Sequence, residues 1–287
     1  FMIGGRDLGW GSAGMVLLMA ATVISGVCFY LVEKKTADPI INMSFFRNRS
    51  FRYGIVATFL SSSTIFSLFA YAPLYIQGGL GHNPMQVGIA MVSLSLGWSF
   101  GSLLLGRNFQ GAGGKAGAVT GGAVLFAGSL LTLHFQLHTS MIECFLAFLV
   151  VGVGMGFVSL STLILVQNSA GGKDLGIVTS LHQFSRSLGG TIGVGVCGGL
   201  VTTRLLGSVQ SIAEILPPQI MLQLKESTEN LLRPEFQSQV PPEALDAIRG
   251  AVLTGVSSAF QFAVISSVLC LLCCLCHSVS LVRGRAL

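Results

Sequence analysis

The sequence predicts an all-α membrane protein with about seven transmembrane helices, on three observations. Of its 287 residues, 52% are hydrophobic and only 9% are charged, whereas about a quarter of the residues in soluble domains are charged. Seven apolar segments meet or approach the roughly 20 residues that a helix needs to cross a bilayer. Thirty-seven glycines fit the same class, because glycine allows membrane helices to pack closely.

The predicted spans follow one another with mostly short connections. They cover residues 13–32, 54–76, 87–105, 116–135, 141–166, 187–206 and 258–281. The fourth span is the weakest, since its unbroken apolar part is short and ends near His134. One connection, at about 206–257, is long and rich in proline, acids and amides. Within it, residues 219–232 and 242–253 are candidates for short amphipathic helices.

The basic residues predict the orientation of the chain. Eleven Lys and Arg residues fall in the loops on one side and five on the other, and four of those five belong to the long loop or its edge. Because basic loops stay in the cytoplasm, the C-terminus is predicted to be cytoplasmic, and the N-terminus and the long loop external. We therefore expect a multi-pass protein of the plasma membrane, which is the inner membrane if the source is bacterial.

The beginning of the chain adds a further expectation. It opens on Phe1, and no basic region or cleavage site typical of a signal peptide precedes the first apolar run. An external N-terminus without a signal peptide is expected if an odd number of spans lies upstream. The sequence is therefore predicted to be part of a longer protein.

A glycine-rich run in the sixth predicted span has two interpretations. Residues 193–198 match the pattern GxGxxG, which binds dinucleotides only after a strand and within a soluble βαβ unit. Here the glycines lie inside an apolar span. We therefore favour a helix-contact face made of Gly189, Gly193 and Cys197.

The remaining patterns predict no enzyme, cofactor or metal site. Residues 273–277 match the CxxCH spacing of haem attachment, but they lie at the inner end of a span, whereas such attachment belongs to the outer compartment. His134 and His138 are spaced i,i+4 with no carboxylate nearby, which disfavours a membrane-embedded enzyme. The net charge of +5 forms no continuous basic patch, so no nucleic-acid partner is predicted.

Ionisable residues inside a membrane are costly and often functional, and the predicted spans contain few. Glu143 is the acid within a span; it lies near an outer end, where an interfacial role is favoured over proton coupling. Arg186 begins the sixth span, with His182 one turn earlier on the same face, and Arg107 ends the third. For each arginine, a positive-inside anchor and a functional role both remain open.

Two predicted spans carry polar and aromatic stripes. The members are Thr64, Tyr71, Tyr75 and the nearby Gln77 in the second span, and Ser95, Trp98, Ser99 and Ser102 in the third. Such a face suits a cavity for bulky amphipathic ligands. It equally suits ordinary hydrogen bonding between helices, and both interpretations stay open.

Several motifs occur in an order that resembles one transporter family. They are LGWGS at 8–12, FFRNRSF at 45–51, APLYIQ at 72–77, GVGMGF at 152–157 and FSRSLGGTIGVGV at 184–196. Together they resemble the fourteen-span drug/proton antiporter branch of the major facilitator superfamily, from its eighth helix to its fourteenth. Their order and spacing cover nearly the whole chain.

The resemblance implies an architecture and an activity. Residues 1–50 would form an extra central helix and a cytoplasmic linker, and residues 51–287 the C-terminal six-helix bundle, built as two three-helix repeats. This bundle would rock against the missing N-terminal half around a midplane site, and it is not expected to transport alone. The implied function is export of small amphipathic molecules across the lipid bilayer, driven by proton entry. With no acid in mid-span, the coupling acids would lie in the missing half, or the transporter is not proton-coupled.

The resemblance also implies where a substrate would bind and where a gate would close. The second, third, fifth and sixth spans would face the cavity. The substrate candidates are Thr64, Tyr71, Tyr75, Gln77, Ser95, Trp98, Ser99 and Gln167, and the candidates for a cytoplasmic latch are Arg107, His182 and Arg186. The loop at 106–115 departs from the family pattern, because Gln110 and Gly111 replace the usual acid and arginine. Any latch there would depend on Arg107.

Two alternatives remain beside an exporter. A seven-helix receptor fits seven spans with an external N-terminus, although the last span carries no lysine for a retinal Schiff base and no NPxxY-like end. A major facilitator that takes up a different solute is the other.

Overall fold

The protein is described here from a computed structural model, which covers residues 13–36, 43–108, 113–211 and 242–284. Every regular element in these residues is helical, and seven helices are long and apolar enough to cross a membrane. The predicted all-α membrane class is confirmed. The helices are α1 Ala13–Lys35, α2 Arg49–Pro73, α3 Pro84–Asn108, α4 Gly113–Thr132, α5 Met141–Gln167, α6 Leu175–Ser211 and α7 Pro242–Gly284.

Two helices begin well before their predicted spans. α6 begins at Leu175 rather than at 187, and α7 begins at Pro242 rather than at 258. The long connection predicted at 206–257 is therefore too long at both ends, and residues 242–253 open α7 instead of forming a separate helix. Hydropathy missed these turns because they are polar, although proline suits the first turn of a helix. Residues 219–232 lie outside the described part of the chain.

Local sequence explains several helix ends. Asn48 caps α2 through its side-chain oxygen, which accepts the Ser50 N–H at 2.9 Å. Ser140 and Glu143 form a reciprocal capping box at the beginning of α5, which satisfies two backbone donors. Glu143 therefore caps a helix, in agreement with the interfacial role expected for it.

The end of α2 is irregular. Pro73 lies in its last turn and lacks the N–H that an α-helix needs. The chain continues as a π-helical segment, Leu74–Gly79, and then turns at Gly81, whose φ of 72° favours glycine. This distortion is where Tyr75 and Gln77 lie.

The helices α2–α4 pack against the helices α5–α7. α2 packs chiefly on α6 and α7, and α5 packs chiefly on α3 and α4, while α2 meets α5 and α4 meets α7. The helices α2–α4 are therefore held mainly by contacts with α5–α7. α1 is almost entirely exposed along its apolar length.

Glycines bring α3 and α5 into backbone contact. Gly97 and Gly101 on α3 face Gly152 and Gly156 on α5. A Cβ on Gly152 would collide with the Leu94 carbonyl oxygen, and one on Gly156 with that of Trp98. This close approach fixes the position of α3, and with it the side chains of its other faces.

The favoured interpretation of the glycine-rich run on α6 is confirmed. A Cβ on Gly189 would meet the Phe59 carbonyl oxygen, and one on Gly193 would lie 2.7 Å from the Ser63 carbonyl oxygen. Cys197, one turn further, is fully buried. These small residues form the contact between α6 and α2.

Candidate functional site

An open groove with a volume of about 630 Å³ lies between α2 and α3. Its lining residues are Phe66, Phe69, Ser95, Trp98 and Ser99. They lie three or four residues apart on their helices, so each helix contributes one face. The volume is within the range of small-molecule sites, which is about 300–1,000 Å³.

The groove combines aromatic walls with hydroxyl groups. Ser95 and Ser99 are exposed, and their hydroxyls donate to the carbonyls of Met91 and Ser95, at 3.2 and 3.1 Å. Because each hydroxyl proton is used within the helix, the oxygen lone pairs remain available to accept hydrogen bonds. The cavity interpretation of the α3 stripe fits these positions.

α6 meets both walls of the groove. The Arg186 guanidinium lies over the Trp98 ring, with its central carbon 5.8 Å from the ring centroid, a cation–π geometry. It also donates to the Ser159 hydroxyl on α5, across 3.4 Å. One turn later, a Cβ on Gly190 would lie only 2.7 Å from the Phe66 ring. α6 therefore positions one aromatic side chain of each wall.

The depth of Arg186 differs from the prediction. The sequence placed it at the beginning of a span, but α6 begins at Leu175, about three turns earlier. Arg186 therefore lies within α6 rather than in its first turn.

His182 belongs to a buried polar chain that joins three helices. Its Nε2 lies 3.0 Å from the Thr162 hydroxyl of α5, which lies 3.0 Å from the Thr58 hydroxyl of α2. The residue is only 2% exposed, and its Nδ1 has no hydrogen-bond partner among the described residues. His182 lies inside the helix contact and does not line the groove.

The aromatic and hydroxyl stripe of α2 does not line the groove either. Thr64 and Tyr75 are both fully buried. The Tyr75 hydroxyl donates to the Gln136 carbonyl at 2.8 Å, and its ring stacks on Phe135 with centroids 5.2 Å apart. Tyr71 is half-buried, and its hydroxyl donates to the Val194 carbonyl at 3.2 Å. For α2, hydrogen bonding between helices is the interpretation that fits.

The other predicted residues lie apart from the groove. Gln77 is half-buried in the π-helical segment, and Gln167, at the end of α5, donates to the Thr179 hydroxyl at 3.1 Å. Arg107 is exposed at the end of α3, and Gln110 and Gly111 lie outside the described residues. In the described part of the chain, no hydrogen bond or ion pair joins Arg107 to His182 or Arg186.

Sequence reasoning missed part of the site. Phe66 and Phe69 were not predicted, because two phenylalanines in an apolar span look like any lipid-facing or core residues. The contact between Arg186 and Trp98 was also missed, since it joins helices far apart in sequence. No local sequence pattern signals this contact.

Comparison with known proteins identifies the family of a chain with this fold and groove. Residues 3–194 match the model of the Major Facilitator Superfamily. The chain belongs to the Major Facilitator Superfamily. The members of this family are transporters rather than enzymes.

Three curated relatives carry names that refer to drug transport or drug resistance. Multidrug transporter protein MdtP of Bacillus subtilis (strain 168) is 30% identical over 86% of this chain and 47% of its own length. Multidrug resistance protein 3 of the same organism is 24% identical over 93% and 53%. Quinolone resistance protein NorB of Staphylococcus aureus (strain MRSA252) is 26% identical over 68% and 42%. The chain spans about half the length of the curated relatives it matches.

Proposed function

We propose that this chain is the C-terminal half of a secondary transporter that exports small amphipathic molecules, with proton entry as the driving force. The observation that carries the proposal is the groove between α2 and α3, which presents aromatic rings and hydroxyl oxygens on a chain of this superfamily. The names of the relatives favour drugs as the substrate class.

The architecture supports assigning the chain to the second half of a fourteen-span transporter. Its seven candidate spans match about half of each relative. The exposed α1 would be one of the two extra central helices, within residues 1–50, and the helices of 51–287 the C-terminal bundle. In this assignment the protein lies in the plasma membrane, with its C-terminus in the cytoplasm.

The groove residues would form this half's share of the substrate site. Ser95, Trp98 and Ser99 would contact substrate, together with Phe66 and Phe69. The site would be completed by the N-terminal half, which would also supply the proton-coupling acids. Glu143 lies in a described span, but its side chain caps the beginning of α5. It is therefore not a candidate for carrying protons at the middle of the bundle.

Dye export tests the proposal. The chain would be expressed, together with any coding sequence that flanks it, in a bacterium that lacks its own drug exporters. Cells loaded with a fluorescent amphipathic dye should lose it faster than control cells, and collapse of the proton gradient should stop the difference. Unchanged dye loss would contradict export, faster dye entry would indicate uptake, and export without a proton gradient would exclude proton coupling.

A matched pair of variants on α3 connects the groove with export. Trp98→Ala removes the aromatic ring that lines the groove and contacts Arg186. Export should fall about tenfold, because an aromatic pair contributes roughly 0.5–1.5 kcal/mol beyond its buried area. Leu96→Ala alters an exposed side chain of the same helix that does not line the groove, and it should leave export unchanged. Equal export by the two variants, at equal protein amounts, would remove Trp98 from the site.

A further inference from the structure

Arg186 lies well away from both ends of α6. Its guanidinium is at the level of Trp98, which lies near the middle of α3, Pro84–Asn108. Among the charged residues of the described helices, it is the one furthest from either end of its helix. A charged residue among apolar membrane helices is expensive to retain and is a functional candidate for that reason.

The guanidinium has unused hydrogen-bonding capacity. Arginine has five N–H donors, and the hydrogen bond of Arg186 to a described residue is the single long one to Ser159. The ion pair found in the described residues joins Arg249 to Asp246 at the beginning of α7, far along the sequence from Arg186. The described part of the chain therefore provides Arg186 with an aromatic face and a hydroxyl, but no carboxylate.

Arg186 lies beside the groove, against one of its lining residues, although it is not itself a lining residue. It is half-buried, so part of the side chain is accessible. It lies against Trp98, and Gly190 on the same face of α6 lies against Phe66. The lining residues of the groove are three aromatic residues and two serines. The lining therefore contains no carboxylate that could neutralise the positive charge of Arg186.

We propose that Arg186 selects substrate by charge, so that the groove binds aromatic anions, such as carboxylates and sulfonates, more tightly than neutral or cationic analogues. The proposal rests on the proposed function and names the substrate class of the same groove. The aromatic body of the ligand would stack on Trp98 and Phe66. Its anionic group would take the free donors of the guanidinium, which matches the geometry of two acceptor oxygens.

Trp98 provides a direct reporter of binding. The chain has two tryptophans, Trp10 and Trp98, so a Trp10→Phe background leaves the groove residue as the single donor for energy transfer. The 287-residue chain in lipid nanodiscs would be titrated with 8-anilinonaphthalene-1-sulfonate and with N-phenyl-1-naphthylamine. The two probes share one aromatic skeleton and differ by the sulfonate. Empty nanodiscs correct for partition into lipid.

The proposal expects the sulfonate to bind more tightly than its neutral analogue. Arg186→Gln should weaken the sulfonate about tenfold or more, as for loss of a charged hydrogen-bonding partner, and leave the neutral probe unchanged. Arg204→Gln is the matched control, since it removes another positive charge from α6 at an exposed site, where Arg204 donates to Gln261. This control should change neither probe.

Each other outcome counts against the proposal in a distinguishable way. Unchanged sulfonate binding in Arg186→Gln, or equal weakening of both probes, would overturn the selective role of Arg186. Failure of both probes to quench Trp98 in the unsubstituted groove would contradict binding of aromatic ligands by this chain's share of the site. If Arg186→Gln does not fold, judged by thermal unfolding, Arg186→Met removes the charge with an apolar chain of similar length and must give the same selective loss.

Discussion

α2 and α3 each carry a row of hydroxyl side chains, and the two rows have opposite environments. On α2, Thr58, Ser63 and Thr64 are almost fully buried, and their hydroxyls reach α5, α6 and α7. On α3, Ser95 and Ser99 are exposed in the groove and donate within their own helix. The difference follows from the neighbours, because three helices surround α2 whereas α3 packs chiefly on α5. A hydroxyl stripe predicts a polar helix face, and the packing decides whether that face binds helices or ligands.

The largest effect on stability is expected at the backbone contact between α3 and α5. Gly152→Ala would push a methyl group into the Leu94 carbonyl of α3. It should lower the free energy of unfolding by about 3 kcal/mol, the upper part of the range for overpacked contacts. Thermal unfolding in detergent measures this. Gly88→Ala is the matched control on α3, since no atom lies within 4 Å of its added Cβ. Equal stability of the two variants would show that backbone contact with α5 does not hold the groove wall in place.

The next effect concerns the buried polar chain of α2, α5 and α6. Thr162→Val removes the hydroxyl that lies between Thr58 and His182, and it leaves buried polar groups without that partner. The free energy of unfolding should fall by about 2 kcal/mol, while dye binding by the remaining folded protein stays the same. Thr191→Val is the comparison, because its exposed hydroxyl donates within α6, and it should change stability by less than about 0.5 kcal/mol. Reduced dye affinity in Thr162→Val would show that the hydrogen-bonded chain of Thr58, Thr162 and His182 influences the groove.

Much of this comparison could be predicted from the sequence, and the missing part has a physical cause. Hydrophobicity and length identified all seven helices, because a bilayer imposes both. The residue types of α3 predicted a polar and aromatic face, and Ser95, Trp98 and Ser99 of that face line the groove. The same reasoning placed Tyr75 and Thr64 in the cavity, because a sequence does not record how many helices surround a given face.

The position of Arg186 shows the same limit. Hydropathy located the beginning of α6 at its apolar part, so that the arginine became an end residue, whereas the helix begins earlier through polar turns. The contact of Arg186 with Trp98 follows only from how the helices pack. Phe66 and Phe69 were missed for the related reason that apolar residues look alike on every face of a membrane helix.

Tyr75 allows a smaller test of the buried face of α2. Tyr75→Phe removes the hydrogen bond to the Gln136 carbonyl and keeps the stacking on Phe135. The free energy of unfolding should fall by about 1 kcal/mol, as for one buried hydrogen bond. Dye export per folded molecule should be unchanged. A loss of export larger than the loss of folded protein would return Tyr75 to the substrate site, where the sequence had placed it.

The smallest effect distinguishes the two hydroxyl rows most directly. Ser99→Ala removes an acceptor oxygen from the groove, so dye affinity should fall about threefold, the effect of one modest hydrogen bond. Stability should change by less than about 0.5 kcal/mol, because the hydroxyl is exposed. Ser63→Ala on α2 breaks the hydrogen bond to the Gly189 carbonyl and should give the reverse pattern, with lower stability and unchanged affinity. If both variants lose affinity or both lose stability, the rows do not differ in role, and helix packing alone does not separate a binding face from a structural one.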